Sequence, residues 1–200
     1  MCRCPSSYKL ASVLLRYPTA ALFDGIGQLT EAASGASGRS QKSFGRFIEW
    51  LSRTSPETVA RHYGEIFDLP GSSLSGGSSP RGRQGRCPLC LTYYRFGDSR
   101  KRGLATVLFT AAYRAAGFVP TEGEPPDYLP LVLDFAAAHP RGEGLLRAHR
   151  ADLELLLRGL RAAQSPYADV VEAVCAQLPA LRQPDLAVVV THAADGPAGP

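Results

Sequence analysis

Apolar residues recur at three- and four-residue steps along almost the whole chain, the spacing that places side chains on one side of an α-helix. Leu10, Val13, Leu14 and Tyr17 keep this register until Pro18 interrupts it, and Phe44, Phe47, Ile48 and Leu51 repeat it. Between them, Ala20 to Ala33 reads as a further helix with Leu22, Phe23, Ile26 and Leu29 inward. A sheet would need alternation at every second residue. The one β-like run, Leu186 to Val190, cannot make a sheet alone. The expected fold is an all-α, single-domain bundle of about eight to nine helices, counted from the periodic segments. It should span residues 1–190, with 191–200 a disordered tail.

Start and stop signals divide the remaining helices. Ser55 suits an N-cap, Pro56 the first helical position and Glu57 the positive end of the helix dipole. Val59, Tyr63, Ile66 and Phe67 then share one face. The Gly/Ser/Pro/Arg segment from residue 70 to 85 has almost nothing apolar to bury and reads as a mobile loop. Leu104, Leu108, Ala111 and Ala115 form a stripe suited to close packing, ended by Gly117 as a C-cap. Asp127 is placed to cap a helix with Leu129, Val132, Leu133 and Ala136 inward, where Pro130 falls in the first turn and breaks no bond. Leu145 to Ala163 and Pro166 to Leu178 give two more helices.

Charge and cysteine usage narrow the function classes. The chain carries a formal +4, but seven basic residues against Asp98 between Arg81 and Arg102 make a local +6, leaving −2 elsewhere. A general polyanion binder would spread its positive charge. The first seven residues are polar and Leu10 to Leu15 is short, so no signal peptide is expected, and no run approaches the ~20 apolar residues of a bilayer span. A cytoplasmic protein without stable membrane insertion, monomeric or weakly dimeric, is the expectation. Five cysteines are too few and odd in number for a disulfide scaffold.

Several residues could carry chemistry. Cys87 and Cys90 form a C-x-x-C pair without the βαβ context of a redox motif, and with Cys2 and Cys4 they give only a weak zinc candidate, because C-x-C is tight. They are expected to be ordinary cysteines at a helix start. His62, His139, His149 and His192 show no metal spacing and are expected to lie mostly at the surface. No Walker, Rossmann or nucleophile-elbow motif is present, so binding outweighs catalysis, and neither a cofactor nor an enzyme activity is expected. The cluster Arg100, Lys101, Arg102 with Tyr93, Tyr94 and Phe96 could bind nucleic acid through the basic 81–102 segment. Against that, cations at a helix start oppose its dipole and call for acids nearby, with Asp68, Asp98, Asp127 or Asp134 as candidates. Internal ion pairing is the preferred reading. Glu65 and Asp68, set beside Glu122, Glu124 and Asp127, would rim an apolar groove continued by Leu131 and Phe135, suited to a basic amphipathic peptide.

Four stretches, YGEIFDL (63–69), LTYYRFGDSRKRG (91–103), AYRAAGF (112–118) and PPDYLPLVLDFAA (125–137), together resemble the delta-subunit or NarJ-type chaperones of respiratory nitrate reductase. The elements FGDSRKRG and PPDYLPLVLDFAA carry most of the likeness. The resemblance implies an all-helical, cytoplasmic, non-catalytic maturation factor. It would bind the N-terminal peptide of the apo catalytic (alpha) subunit, hold that subunit open for molybdenum cofactor and iron–sulfur cluster insertion, and then leave. By motif it points to Tyr63, Phe67 and Asp68; to Tyr94, Gly97, Asp98, Arg100, Arg102 and Gly103; and to Pro126, Asp127, Tyr128, Leu129, Pro130, Leu133 and Asp134. The 70–85 segment departs from the family, which runs nearly directly from EIFDL to the next element.

Overall fold

The computed structural model describes residues 5–36, 38–67, 87–97, 99–181, 183, 186–187 and 189. The segments expected to be a mobile loop (70–85) and a disordered tail (191–200) lie outside them, as do Cys2, Cys4, Asp68 and Asp98. Among the described residues there are eleven α-helices: α1 Pro5–Leu14, α2 Ala20–Asp24, α3 Ile26–Ser34, α4 Gly38–Arg53, α5 Pro56–Phe67, α6 Tyr93–Phe96, α7 Arg100–Ala115, α8 Leu129–Ala138, α9 Pro140–Ala148, α10 Arg150–Ala162 and α11 Tyr167–Cys175. The architecture is all-α, as the periodicity requires, with more helices than the apolar pattern resolves. Ala20 to Ala33 is broken at Gly25 into α2 and α3. The helix expected over Leu145 to Ala163 is broken at His149, where the backbone leaves the helical region between α9 and α10.

Helix α8 forms the centre because its sequence, LPLVLDFAAA, is apolar on nearly every side, and such a helix can only be satisfied by neighbours all round. Leu129, Leu131, Val132, Leu133, Phe135 and Ala136 are all buried. Helix α1 packs along one side and α9 along another. Ser12 of α1 donates to the Pro130 carbonyl at 2.9 Å, giving a partner to an oxygen in the first turn of α8. Gly142 of α9 presses directly on the α8 backbone: a Cβ there would lie 2.3 Å from the Ala136 nitrogen. Elsewhere in the bundle α11 packs on α4, α10 and α1. There Phe47, Trp50, His62, Tyr63, Phe67 and Tyr167 form one aromatic cluster with ring centroids 4.8 to 6.1 Å apart. Ser55 caps α5 as expected, its hydroxyl accepting from the Thr58 amide at 3.4 Å.

Two expectations about α7 and α8 are corrected. Asp127 does not cap α8; the helix begins after Tyr128, without a side-chain cap, and Asp127 is buried elsewhere. The stripe Leu104, Leu108, Ala111 and Ala115 faces solvent rather than the bundle, while Phe109 and Tyr113 on the other side of α7 are buried. No strand is present among the described residues; a single antiparallel bridge joins Cys90 to Tyr128.

Candidate functional site

The motif residues meet around that bridge. The Leu91 amide donates to the Asp127 carbonyl at 3.0 Å and the Leu129 amide to the Leu89 carbonyl at 2.7 Å, so the chain entering α6 is paired to the chain entering α8. Cys87 and Cys90 therefore sit in a non-helical segment and not at a helix start; both are buried thiols outside any disulfide, and the Cys87 amide donates to the Ile66 carbonyl at 2.9 Å. Among the described residues no group of three or more His, Cys, Asp or Glu side chains is placed to hold a metal.

Asp127 fastens this junction. Its fully buried carboxylate accepts from the Thr92 amide at 3.1 Å and from the Thr92 hydroxyl, and Arg102 of α7 places a guanidinium nitrogen 3.6 Å away. A buried carboxylate is costly unless it is both hydrogen-bonded and charge-compensated, and here it is both. Next to it, the Tyr113 hydroxyl donates to the Pro126 carbonyl at 2.6 Å. A second fully buried carboxylate, Asp152 of α10, accepts from Arg95 of α6 at 2.8 Å and lies 2.7 Å from Nδ1 of His149. The His149 ring packs on Phe109, 4.8 Å between centroids, which ties α7 to the same cluster. Gly97 ends α6 with φ +51° and ψ −142°, a conformation that favours glycine, and so turns the chain toward α7.

The basic segment is thus partly spent inside the protein, as internal ion pairing requires. Arg95 and Arg102 answer buried acids; Arg100 and Lys101 are exposed and take no ion pair among the described residues. Of the four candidate acids, Asp127 is the one that faces Arg102. Asp134 instead pairs with Lys9 at 2.7 Å and Arg16 at 3.1 Å, and Asp68 and Asp98 lie outside the described residues. Arg16 also pairs with Glu124.

These pairs correct the expected groove. The ends of α5 and α8 do approach, since the Tyr63 and Tyr128 hydroxyls lie 3.5 Å apart and Tyr63 donates to the Leu15 carbonyl at 3.0 Å. The intended floor is absent, however, because Leu131 and Phe135 are buried in the core. Of the expected rim, Glu124 is held by Arg16 and Asp127 is buried, while Glu65 and Glu122 remain exposed.

The remaining motif residues are structural in placement. Phe67 meets Tyr63 edge-on at 4.8 Å, Leu129, Pro130 and Leu133 are buried in α8, and the Tyr94 hydroxyl donates to the Pro88 carbonyl at 3.0 Å. Burial pushes the phenols of Tyr94, Tyr113 and Tyr128 above their ordinary range, so they stay neutral. Gly103 is exposed with open space where a Cβ would sit. His62, His139 and His149 are half-buried, contrary to the surface expectation. Thr92, Arg95, Asp152 and His149 are additions to the motif set. A signal for Asp152 was present, because it falls one turn before Leu156 on the leucine face of α10, where an acid needs a reason.

Open surfaces lie elsewhere. A cleft of about 400 Å³ between α2 and α5 has Pro18, Ala20, Phe23 and Ala60 as its apolar lining and Asp24 and Glu57 at its edge. A second, of about 410 Å³, runs between α3 and α4 over Ile26, Ala33 and Ile48. On α7, Leu104, Val107 and Leu108 stand in solvent. No helix among the described residues is long and apolar enough to cross a membrane.

Residues 31–172 match the family described as nitrate reductase delta subunit. Nitrate reductase-like protein NarX of Mycobacterium tuberculosis is 36% identical over 170 residues, covering 84% of this chain and 24% of NarX. The Escherichia coli nitrate reductase molybdenum cofactor assembly chaperone NarJ is 31% identical over 164 residues, covering 80% of this chain and 64% of NarJ. The chain thus spans about a quarter of the length of NarX and just under two thirds of that of NarJ. A solved structure from Archaeoglobus fulgidus, described as a candidate redox enzyme maturation protein, superposes with a TM-score of 0.61 at 21% identity, covering 88% of this chain and 94% of that one. That likeness shows the fold alone.

Proposed function

Because the chain belongs to the nitrate reductase delta-subunit family, we propose that it is an assembly chaperone for the catalytic (alpha) subunit of a respiratory nitrate reductase. In this reading it binds the apo subunit at its N-terminal peptide in the cytoplasm. It keeps the subunit competent for molybdenum cofactor and iron–sulfur cluster insertion, then leaves without joining the finished enzyme. The observation that carries the proposal is the family match over residues 31–172, a span that runs from within α3 into α11 and contains both buried carboxylates.

The geometry supports a role in binding rather than reaction. Asp127 and Asp152 are each committed to an arginine and to hydrogen bonds within the fold, an arrangement that holds helices in place and leaves little freedom for proton transfer to a substrate. The best receptor for a basic leader is the α2/α5 cleft. Its apolar wall can take one side of a short amphipathic helix, while Asp24 and Glu57, which take no ion pair among the described residues, meet the leader's cations. Apolar burial at about 25 cal/mol per Å², less the entropy of ordering the peptide, gives a reversible affinity suited to release.

Titration calorimetry with a peptide of the alpha-subunit N-terminus tests this. Binding should be saturable, and Asp24→Lys/Glu57→Lys should weaken it about tenfold or more, as expected for two close charge reversals. Absence of heat at high micromolar peptide, together with failure to capture the apo subunit, would sink the chaperone reading.

A further inference from the structure

Helix α7 carries an apolar face that the fold does not use. Leu104, Val107 and Leu108 are 75%, 59% and 65% exposed, and Ala111 and Ala115 continue the same face, also exposed. Three aliphatic side chains at i, i+3 and i+4 on one helix form a contiguous patch, unlike the scattered apolar residues normal for a surface. From Arg100 to Ala115 the helix contains no acidic residue. Arg100 lies one turn before Leu104 on the patch side, Lys101 flanks the same end of the patch three residues before Leu104, and Arg114 sits at its other end; all three are exposed and take no ion pair among the described residues. Arg102 points the other way, into the Asp127 junction.

We propose that this outer face of α7 docks an amphipathic helix with an aliphatic side flanked by acidic residues, supplied by the catalytic subunit outside its N-terminal leader. The proposal rests on the chaperone reading above and adds a second contact of opposite charge to the first. A basic leader suits the cleft beside Asp24 and Glu57, and would be repelled from α7 by Arg100, Lys101 and Arg114. An acidic helix has the reverse preference, so the two surfaces sort two client segments by sign.

The chemistry of the patch separates this partner from others. A second copy of the chain laid α7 against α7 would set cations against cations. Nucleic acid would gain nothing from Leu104, Val107 and Leu108 between the charges. An anionic membrane could accept the leucines and the cations, but Ala111 and Ala115 would add little to insertion. Against a helix the same alanines are useful, because small side chains let the two backbones approach to the short end of the 8–10 Å range of packed pairs. Leucine knobs at one end and an alanine hollow at the other define a direction for the partner helix.

The test uses the full chain and an alpha subunit expressed without its N-terminal leader. Wild-type protein should capture this leader-less apo subunit, and capture should fall about tenfold in Leu104→Glu/Leu108→Glu and in Arg100→Glu/Lys101→Glu, the scale of an interface anchor or a close charge pair. Binding of the leader peptide in calorimetry should be unchanged in both variants. These side chains are exposed, so thermal unfolding should match wild type, which separates loss of docking from loss of fold. The α7 proposal is overturned if the leader-less subunit is not captured while the full-length one is, or if both variants capture it as wild type does. It is also overturned if the Leu104→Glu/Leu108→Glu change abolishes self-association in sedimentation, or binding to phosphatidylglycerol vesicles, without touching subunit capture. Failure of wild type to bind either the leader peptide or any form of the subunit would instead reject the chaperone reading itself.

Discussion

Asp127→Ala removes the acceptor of two Thr92 hydrogen bonds and leaves Arg102 facing a cavity where it had a carboxylate. Breaking one partner of a buried charged pair costs about 3 kcal/mol or more, and Asp127→Asn, which keeps an acceptor, should cost less. Urea unfolding midpoints of the two variants check the order. At His62 the sign runs with pH. Burial, among Trp50 and Tyr167 with Ser165 2.9 Å from Nε2, lowers its pKa below the ordinary 6.5 despite Glu65 nearby. The unfolded chain therefore takes up the proton first. The His62 contribution is intact above about pH 6.5, and is lost as the pH falls from there toward the lower folded value. Thermal midpoints measured down that range should fall less steeply in His62→Gln than in wild type.

Between elements, α9 lies against the backbone of α8 at Gly142. A Cβ at position 142 would meet the nitrogen and Cα of Ala136 and the carbonyl carbon of Phe135, all backbone atoms that cannot swing aside. Gly142→Ala should destabilise by about 3 kcal/mol, the upper end of ordinary overpacking, although alanine is the better helix former. Calorimetric unfolding of the variant checks it. Helix faces such as Phe44, Phe47, Ile48 and Leu51 on α4 were legible in the sequence because one side is apolar and the other polar. Helix α7 was not, because it has two apolar sides: Leu104, Leu108 and Ala111 keep the helical step as well as Phe109, Ala112 and Tyr113 do. Periodicity cannot choose between them. The aromatic side is buried, and burying Phe and Tyr removes more area from water than burying leucines and alanines. For the groove, the unread signal was α8 itself, whose apolar residues on every side marked Leu131 and Phe135 as core. The motif residues could be read as a set because the cation cluster demanded an acid, and Asp127 supplied it. Which side of a helix end each acid faces depends on tertiary geometry that no spacing encodes: Glu124, read as part of a rim, and Asp134, read as a partner for the cation cluster, both pair with Arg16.

Over the whole molecule, the pairing of Leu89 and Leu91 with Asp127 and Leu129 fastens both ends of the intervening chain at one place, with Thr92 and Asp127 bonded across 35 positions. Everything from α6 through α7 is an excursion that leaves the bundle and returns to its point of departure. Its attachment to the rest is narrow: Phe109 and Tyr113 inward, Arg102 to Asp127, Arg95 to Asp152. Amide exchange followed by mass spectrometry should show α7 opening well before α8, through a partial unfolding that spares the core, and Asp127→Asn should speed α7 alone. The central helix would keep its protection in both proteins. Closure at a single junction makes residues 99–117 a cassette. A chain built this way can exchange that segment for a relative's, and with it the face shown to a client, while the bundle that carries it stays as it was.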